Sequence, residues 1–246
     1  MKIFLDAGHN FSGWNTGAVG NGMREQDITF DVAKFAGLAL VKRGFDVMLS
    51  RPTLETNLGH DNSSSINARW QASNTWKADY FISIHANAGG GTGAETLYYK
   101  DDSLKFAAVM QNVYSAEMGL RNRRVWRRDD IGVIRNTNCP SILLEVAFID
   151  SPASNPDAGI LRSRRPEMGE AVAKGMLTFL GMDYEAPPNE KTPDRFNTVD
   201  QLPSWAVPTI VKLVEKGVLK GDGKGLDLSI DMVRIFVVHD RAGMYD

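Results

Sequence analysis

Over most of the chain, short runs of consecutive apolar residues alternate with stretches in which apolar residues recur every three or four positions. "KIFLD", directly after Met1, reads as a strand. From Ile28 the residues Val32, Phe35, Leu38 and Ala39 recur at helical spacing, and Gly44 stops the pattern after Lys42 and Arg43. "FDVMLSR" is a second strand ending before Pro52. "SSSINARWQASNTW" has serines suited to capping and Ile66, Trp70 and Thr75 towards one side, so it predicts a helix leading into a strand at Tyr80. "AETLYY" follows a glycine turn as another strand. "SLKFAAVMQNVYSAEMGL" predicts a helix with Leu104, Ala107, Ala108, Val113 and Met118 on its buried face and Gly119 as its stop. "SILLEVAFI" is the most apolar segment and reads as a central strand buried on both faces, and "EMGEAVAKGMLTFLG" closes the series as a helix. Strands alternating with helices predict an α/β fold, a mostly parallel sheet flanked by helices.

The texture changes after Gly181. "DYEAPPNEKTPD" is polar, proline-rich and aperiodic, so the chain divides into a domain over 1–182, a linker over 183–194 and a small helical module over 195–246. In the module, Trp205, Ile210, Leu213 and Val214 anchor an amphipathic helix that Gly217 ends, "LKGDGKG" is a turn, and a second helix starts from Ser229. "DGKGLDLS" does not fit the EF-hand calcium spacing. One helix pair buries little, so the module is expected to pack on a neighbour or on its copy in a homodimer.

Composition narrows the field. Of 246 residues, 43% are hydrophobic and 24% charged, enough for a sizeable core in a globular protein. The net charge of −2 is no field for nucleic acid or anionic lipid, and no apolar run approaches the roughly 18 residues of a membrane span. "KIFLDAGH" has no basic leader, apolar core or cleavage site, so the chain is expected to be made in the cytoplasm without a signal peptide. The one cysteine, Cys139, excludes an internal disulfide and a cysteine zinc cage, leaving His, Asp and Glu as metal ligands.

Two of the four histidines follow strands: His9 after "IFLDAG" and His85 after "YFISI". Parallel strands bring both to the same carboxyl edge of the sheet. Glu25, at the start of the helix after the glycine-rich "SGWNTGAVGNG", offers a third ligand, with Asp27 as its competitor. Two histidines and a carboxylate with an open fourth position form the catalytic zinc pattern. Glu145 lies inside "SILLEVAFI", where a carboxylate is costly unless it serves a reaction or an ion pair. Such a set suits amide hydrolysis without a covalent intermediate.

"LDAGHN", the downstream glutamate, "NARWQASNTWKADYFISIHAN" and "NTNCPSILLEVAFI" occur in the order found in the zinc-dependent N-acetylmuramoyl-L-alanine amidases of the amidase 3 family, which residues 1 to about 180 resemble. The resemblance implies a twisted sheet of about six strands, zinc (Zn2+) held by His9, Glu25 and His85, and Glu145 as catalytic carboxylate. It favours Glu25 over Asp27, with Asp31 pointing elsewhere. It also implies peptidoglycan as substrate, cut between N-acetylmuramic acid and L-alanine. "LDAGHN" departs from the family in its alanine and asparagine, where many relatives have proline and glycine, which alters the loop beside His9 without removing a ligand.

Asn87 either orients the His85 loop, touches substrate or only caps its turn, and Arg135 either holds a stem-peptide carboxylate or forms a structural ion pair. Arg69 and Asn74 are expected to support the sheet edge, His60 to lie on the surface, His239 to lie outside the catalytic part, and Cys139 to be a buried inert thiol. The run "RNRRVWRRDD" interleaves arginines with Trp126 in a way that suits an anionic polymer, but a solvated loop is the simpler expectation. The terminal module resembles, more distantly, a surface-layer-homology repeat, which implies attachment to secondary cell-wall polymer. Together these expectations describe a peptidoglycan amidase of the phage or prophage endolysin type, released to the wall at lysis. The alternatives are a bacterial autolysin or sporulation amidase, a zinc carboxypeptidase, and a wall-binding protein without activity.

Overall fold

The computed structural model describes residues 1–152, 154–184, 195–203, 206–241 and 243–245. The chain runs β1 (Lys2–Ala7), a small hairpin of β2 (Val19–Gly20) and β3 (Met23–Arg24), α1 (Glu25–Val41), β4 (Asp46–Leu49), α2 (Asn62–Trp76), β5 (Tyr80–Asn87) and β6 (Ala94–Tyr98). It continues through α3 (Leu104–Met118), β7 (Asn122–Arg127), α4 (Gly132–Arg135), β8 (Ser141–Phe148), α5 (Pro156–Ser163) and α6 (Arg165–Phe179), and ends in α7 (Val207–Glu215) and α8 (Ile230–Arg241).

Six strands form one sheet in the order β4-β1-β5-β8-β6-β7. All neighbours pair in parallel except β6 and β8, which are antiparallel. The fold is therefore α/β with a mostly parallel sheet. Alternation along each strand divides the core in two. Ile3, Leu5, Ile82, Ile84, Ile142 and Leu144 belong to the larger cluster with α1, α3 and α6, whereas Phe4, Phe81, Leu97 and Leu143 meet Val133 and Ile134 of α4 on the other face. Strands covered on both sides read as continuous apolar runs, which is why β1, β5 and β8 stand out in the sequence.

Several local expectations need correction. The first helix starts at Glu25, as expected, but three other elements differ. The cap of α2 is Asp61, which exchanges hydrogen bonds with Ser64, and the buried row is Ser65, Arg69 and Ser73 rather than the side with Ile66, Trp70 and Thr75. Arg69 takes that row inward because it meets buried acceptors on β1. In α3 the buried row is Phe106, Ala107, Met110, Tyr114 and Met118, and Leu104 is 43% exposed. The arginine run is an edge strand, β7, and not a loop.

In the terminal module, Phe196 is fully buried and forms an antiparallel bridge with Leu228. Ile210 and Leu213 of α7 are buried, while Val214 is exposed. Asp240 of α8 accepts hydrogen bonds from Thr209 and Lys212 of α7. The pair packs on a neighbour in the same chain: α8 contacts α1 and β4, and Val233, Val237 and Val238 join the larger core cluster. Of the expected linker, residues 185–194 lie outside the described residues, as does Trp205. Among the described residues no helix is long and apolar enough to cross a membrane.

Candidate metal centre and catalytic cleft

β1 and β5 run in parallel with Ala7 opposite Ile84, so both strands deliver their chains to the same edge. His9 follows one turn after β1 and takes φ 66°, a left-handed conformation uncommon outside glycine that costs about 1–3 kcal/mol. Two buried guanidiniums hold the segment in place. Arg69 donates to Asp6 Oδ1, to the Ala7 carbonyl and to the His9 carbonyl, each at 2.6 Å. Arg51, fully buried, donates to the carbonyls of Ala7, Gly8, Gln26 and Leu54. Burial and the nearby Arg69 lower its pKa to about 10, so it stays a cation at neutral pH. Thr29 adds a hydrogen bond from Oγ1 to the Gly8 carbonyl at 2.8 Å.

Three side chains converge at this edge. His9 Nε2 lies 3.0 Å and His85 Nδ1 3.1 Å from Glu25 Oε1, and the two ring nitrogens are 3.1 Å apart. Glu25 opens α1, and backbone amides fix both of its oxygens: Ala18 donates to Oε2 and Ala86 to Oε1, each at 2.9 Å. β1 ends at Ala7, so the Ala86 N–H meets the carboxylate in place of a ladder carbonyl. Burial raises the proton affinity of Glu25, but hydrogen bonds with His85 and His9 outweigh it and hold the carboxyl well below its usual range. Burial also depresses His85, which keeps its ring neutral.

The residues fit a metal ion. Three atoms that could each supply a lone pair point at one another. Metal ligands must be deprotonated, and the lowered proton affinities of Glu25 and His85 meet that need. The surroundings leave room only for what is there. A Cβ on Gly8 would stand 2.6 Å from the His85 ring, and one on Gly17 would stand 2.7 Å from Glu25 Oε2.

Glu145 is the register partner of His85 on one side and of Glu95 on the other. Its Oε2 is buried without a hydrogen-bond partner among the described residues, and burial, with Glu25 and Glu95 nearby, pushes its pKa up to about 8. Glu95 differs: it accepts from Asn87 Nδ2 at 2.7 Å and from Arg123 Nε at 2.9 Å. Of two carboxylates facing across a strand pair, one is held by partners and the other is left without them. A cavity of about 290 Å³ opens at the two histidines, lined by His9, His85, Asp6, Arg69, Ile66 and Leu143 and by Asp130 to Val133.

Other expected residues lie as follows. Asn87 is committed to Glu95 and, through Oδ1, to the Ala88 amide. Arg135 is exposed and donates to the Asp129 carbonyl, with the Asp130 carboxylate in its electrostatic reach. Asp27 pairs with Arg24 and Asp31 with Arg165, so neither joins the histidines. Asn74 bonds the backbone at Asn136 and Asn138. His60 is on the surface, and His239 lies in α8. Cys139 is only part-buried, and burial pushes its thiol up to about 11, which leaves it unreactive at neutral pH. Arg51 escaped the sequence reading because its partners are carbonyls, which no residue type advertises.

Residues 3–178 match the model of the N-acetylmuramoyl-L-alanine amidase family. The sporulation-specific N-acetylmuramoyl-L-alanine amidase of Bacillus subtilis is 35% identical over 161 residues, 61% of this chain and 57% of that protein, so the chain spans little more than half of this relative. The endolysin of Bacillus phage SPP1 is 30% identical over 212 residues, 80% of this chain and 73% of its own. Among solved structures, the N-acetylmuramoyl-L-alanine amidase AmiC2 of Nostoc punctiforme superposes with a TM-score of 0.63 at 27% identity, covering 74% of this chain and 97% of that one.

Proposed function

The chain belongs to the N-acetylmuramoyl-L-alanine amidase family, and from that premise we propose that it hydrolyses the amide between N-acetylmuramic acid and L-alanine in peptidoglycan with the help of zinc. The observation that carries this reading is the convergence of His9, Glu25 and His85 beside a carboxylate, Glu145, that has no partner for Oε2. His9 Nε2, His85 Nδ1 and Glu25 Oε1 would hold the metal. Zinc in such a site supplies Lewis acidity, polarising a carbonyl and lowering the pKa of water to about 7. Glu145 takes the proton of the attacking water and returns it to the leaving nitrogen as the amide C–N bond breaks, which frees the L-alanine amine. Its raised proton affinity suits that double duty. Arg69 and Arg51 keep His9 in its left-handed turn, and the Ala18 and Ala86 amides orient Glu25.

Analysis of the ends left in digested peptidoglycan tests the reaction. New L-alanine amino termini without new reducing sugars are expected. Release of a free C-terminal amino acid would show a carboxypeptidase, and no new ends on several wall types would leave a wall-binding protein.

In this reading the enzyme is a phage or prophage endolysin, made in the cytoplasm and reaching the wall on holin-type release or lysis. The likeness to the phage SPP1 endolysin supports it. An autolysin or sporulation amidase is the second reading, supported by the likeness to the Bacillus sporulation enzyme. Transcription confined to lytic growth favours the first, and transcription confined to sporulation the second. The terminal module serves as a surface-layer-homology-like anchor for secondary cell-wall polymer. Full-length Glu145→Ala protein should therefore sediment with intact walls and lose that affinity once the polymer is extracted. Light scattering reports whether the module also joins two chains.

A further inference from the structure

The arginine-rich strand β7 has a feature that the reaction at the metal centre does not use. Asn122 pairs with Ala94, yet Val125 pairs with Thr96, so β7 carries one extra residue and Arg124 in the bulge takes φ 76°. A slip of one residue exchanges the faces of every side chain beyond it. Thr96 donates to Gln111 of α3, whereas its neighbour Leu97 packs with Val133 and Ile134 of α4 on the face shared with Leu143. Because Trp126 is the partner of Leu97, the bulge turns Val125 towards the α3 layer and Trp126 to the cleft face. Without it, the indole would face the α3 layer instead. A strained non-glycine residue that brings a large apolar side chain out, to 53% exposure, is what a contact with another molecule explains.

We propose that the cleft face of β6 and β7, with the Trp126 indole at its centre, is a subsite for the sugar rings of the glycan strand that continues from the cleaved linkage. The proposal rests on the amidase reading. Leu143, which lines the cavity, is the partner of Leu97, and Leu97 of Trp126. Two strand spacings therefore separate cavity and indole, about 10 Å. That is the scale of a disaccharide. The floor between them is rigid: Glu95 ties Arg123 to Asn87, and the Arg123 guanidinium sits 4.9 Å from the Phe148 ring centroid. Arg123, Arg127 and Arg128 are each paired with an acid, Glu95, Asp101 and Asp130, so the shelf suits a neutral N-acetylated pyranose better than a polyanion.

Two substrates separate the subsite from the reaction: a single-sugar muramoyl peptide and a peptide-bearing tetrasaccharide. Trp126→Ala should raise KM for the tetrasaccharide about threefold to tenfold with kcat within about twofold, and leave the single-sugar substrate unchanged. Trp126→Phe should restore most of the affinity. Equal loss on both substrates, or none on either, overturns the proposal. Calorimetric titration with a peptide-free N-acetylglucosamine tetrasaccharide reads the subsite without hydrolysis. Binding that Trp126→Ala weakens supports it, and equal binding by both chains, or none by the parent, overturns it. If the parent binds the sugar but cleaves no amide, the amidase reading fails and the sugar site stands.

Discussion

Arg69 donates a hydrogen bond of 2.6 Å to the backbone carbonyl of His9, from the same guanidinium that pairs with buried Asp6. One side chain thus neutralises the β1 carboxylate and pins the turn that carries His9, one of the three candidate metal ligands. Arg69→Ala should destabilise the metal-free chain by about 3–5 kcal/mol, because Asp6 would remain buried without its cation. Arg69→Lys, which keeps the charge without the fork, should fall between. Urea denaturation under chelator checks this, and a loss below about 1 kcal/mol for the alanine variant contradicts it.

Gly17 borders the candidate ligands Glu25 and His9, since a Cβ there would meet the Glu25 side chain at 2.6 Å and His9 Cδ2 at 2.8 Å. Gly17→Ala should leave the far-ultraviolet circular dichroism unchanged while weakening zinc binding about 10- to 100-fold, measured by competition with a chelator. Parental affinity would show that the loop yields freely.

The pH dependence of the metal-free chain isolates Glu145. Its pKa rises from 4.5 in the unfolded chain to about 8 in the fold, so between those values the folded state holds a proton that the unfolded state has released. Stability then falls as pH rises through that window, by on the order of 4 kcal/mol for this group. Glu145→Gln removes the effect, so the variant's advantage over the parent should grow from pH 4.5 to pH 8. A constant difference across that range contradicts the burial argument.

How far the sequence could be read follows from what each residue advertises. His9 and His85 were legible because apolar strands deliver them to one edge, and parallel pairing makes that edge common. The buried face of α2 was not, since its inward row of Ser65, Arg69 and Ser73 is polar, so apolar periodicity points to the wrong side. β7 was hidden for a related reason. An edge strand with exposed arginines lacks the alternation of a half-buried strand, and its bulge breaks the period further. The family register decided between Glu25 and Asp27, and the geometry separates them through the Arg24 pair.

The seat of the terminal module is apolar and can be broken alone. Val237 is fully buried in the cluster that joins α8 to the rest of the core. Val237→Asp should lower the melting temperature and expose the module to proteolysis, while activity on a single-sugar muramoyl peptide stays within about twofold. Loss of that activity would mean that the module supports the cleft.

Zinc content and amidase activity measured together on Glu145→Ala and His85→Ala, beside the parent, test the central assignment most directly. One zinc per chain is expected in the parent and in Glu145→Ala, with hydrolysis at least about 100-fold slower in Glu145→Ala, and neither metal nor activity in His85→Ala. A Glu145→Ala chain that cleaves at the parental rate, or a fully active His85→Ala chain, would contradict that assignment.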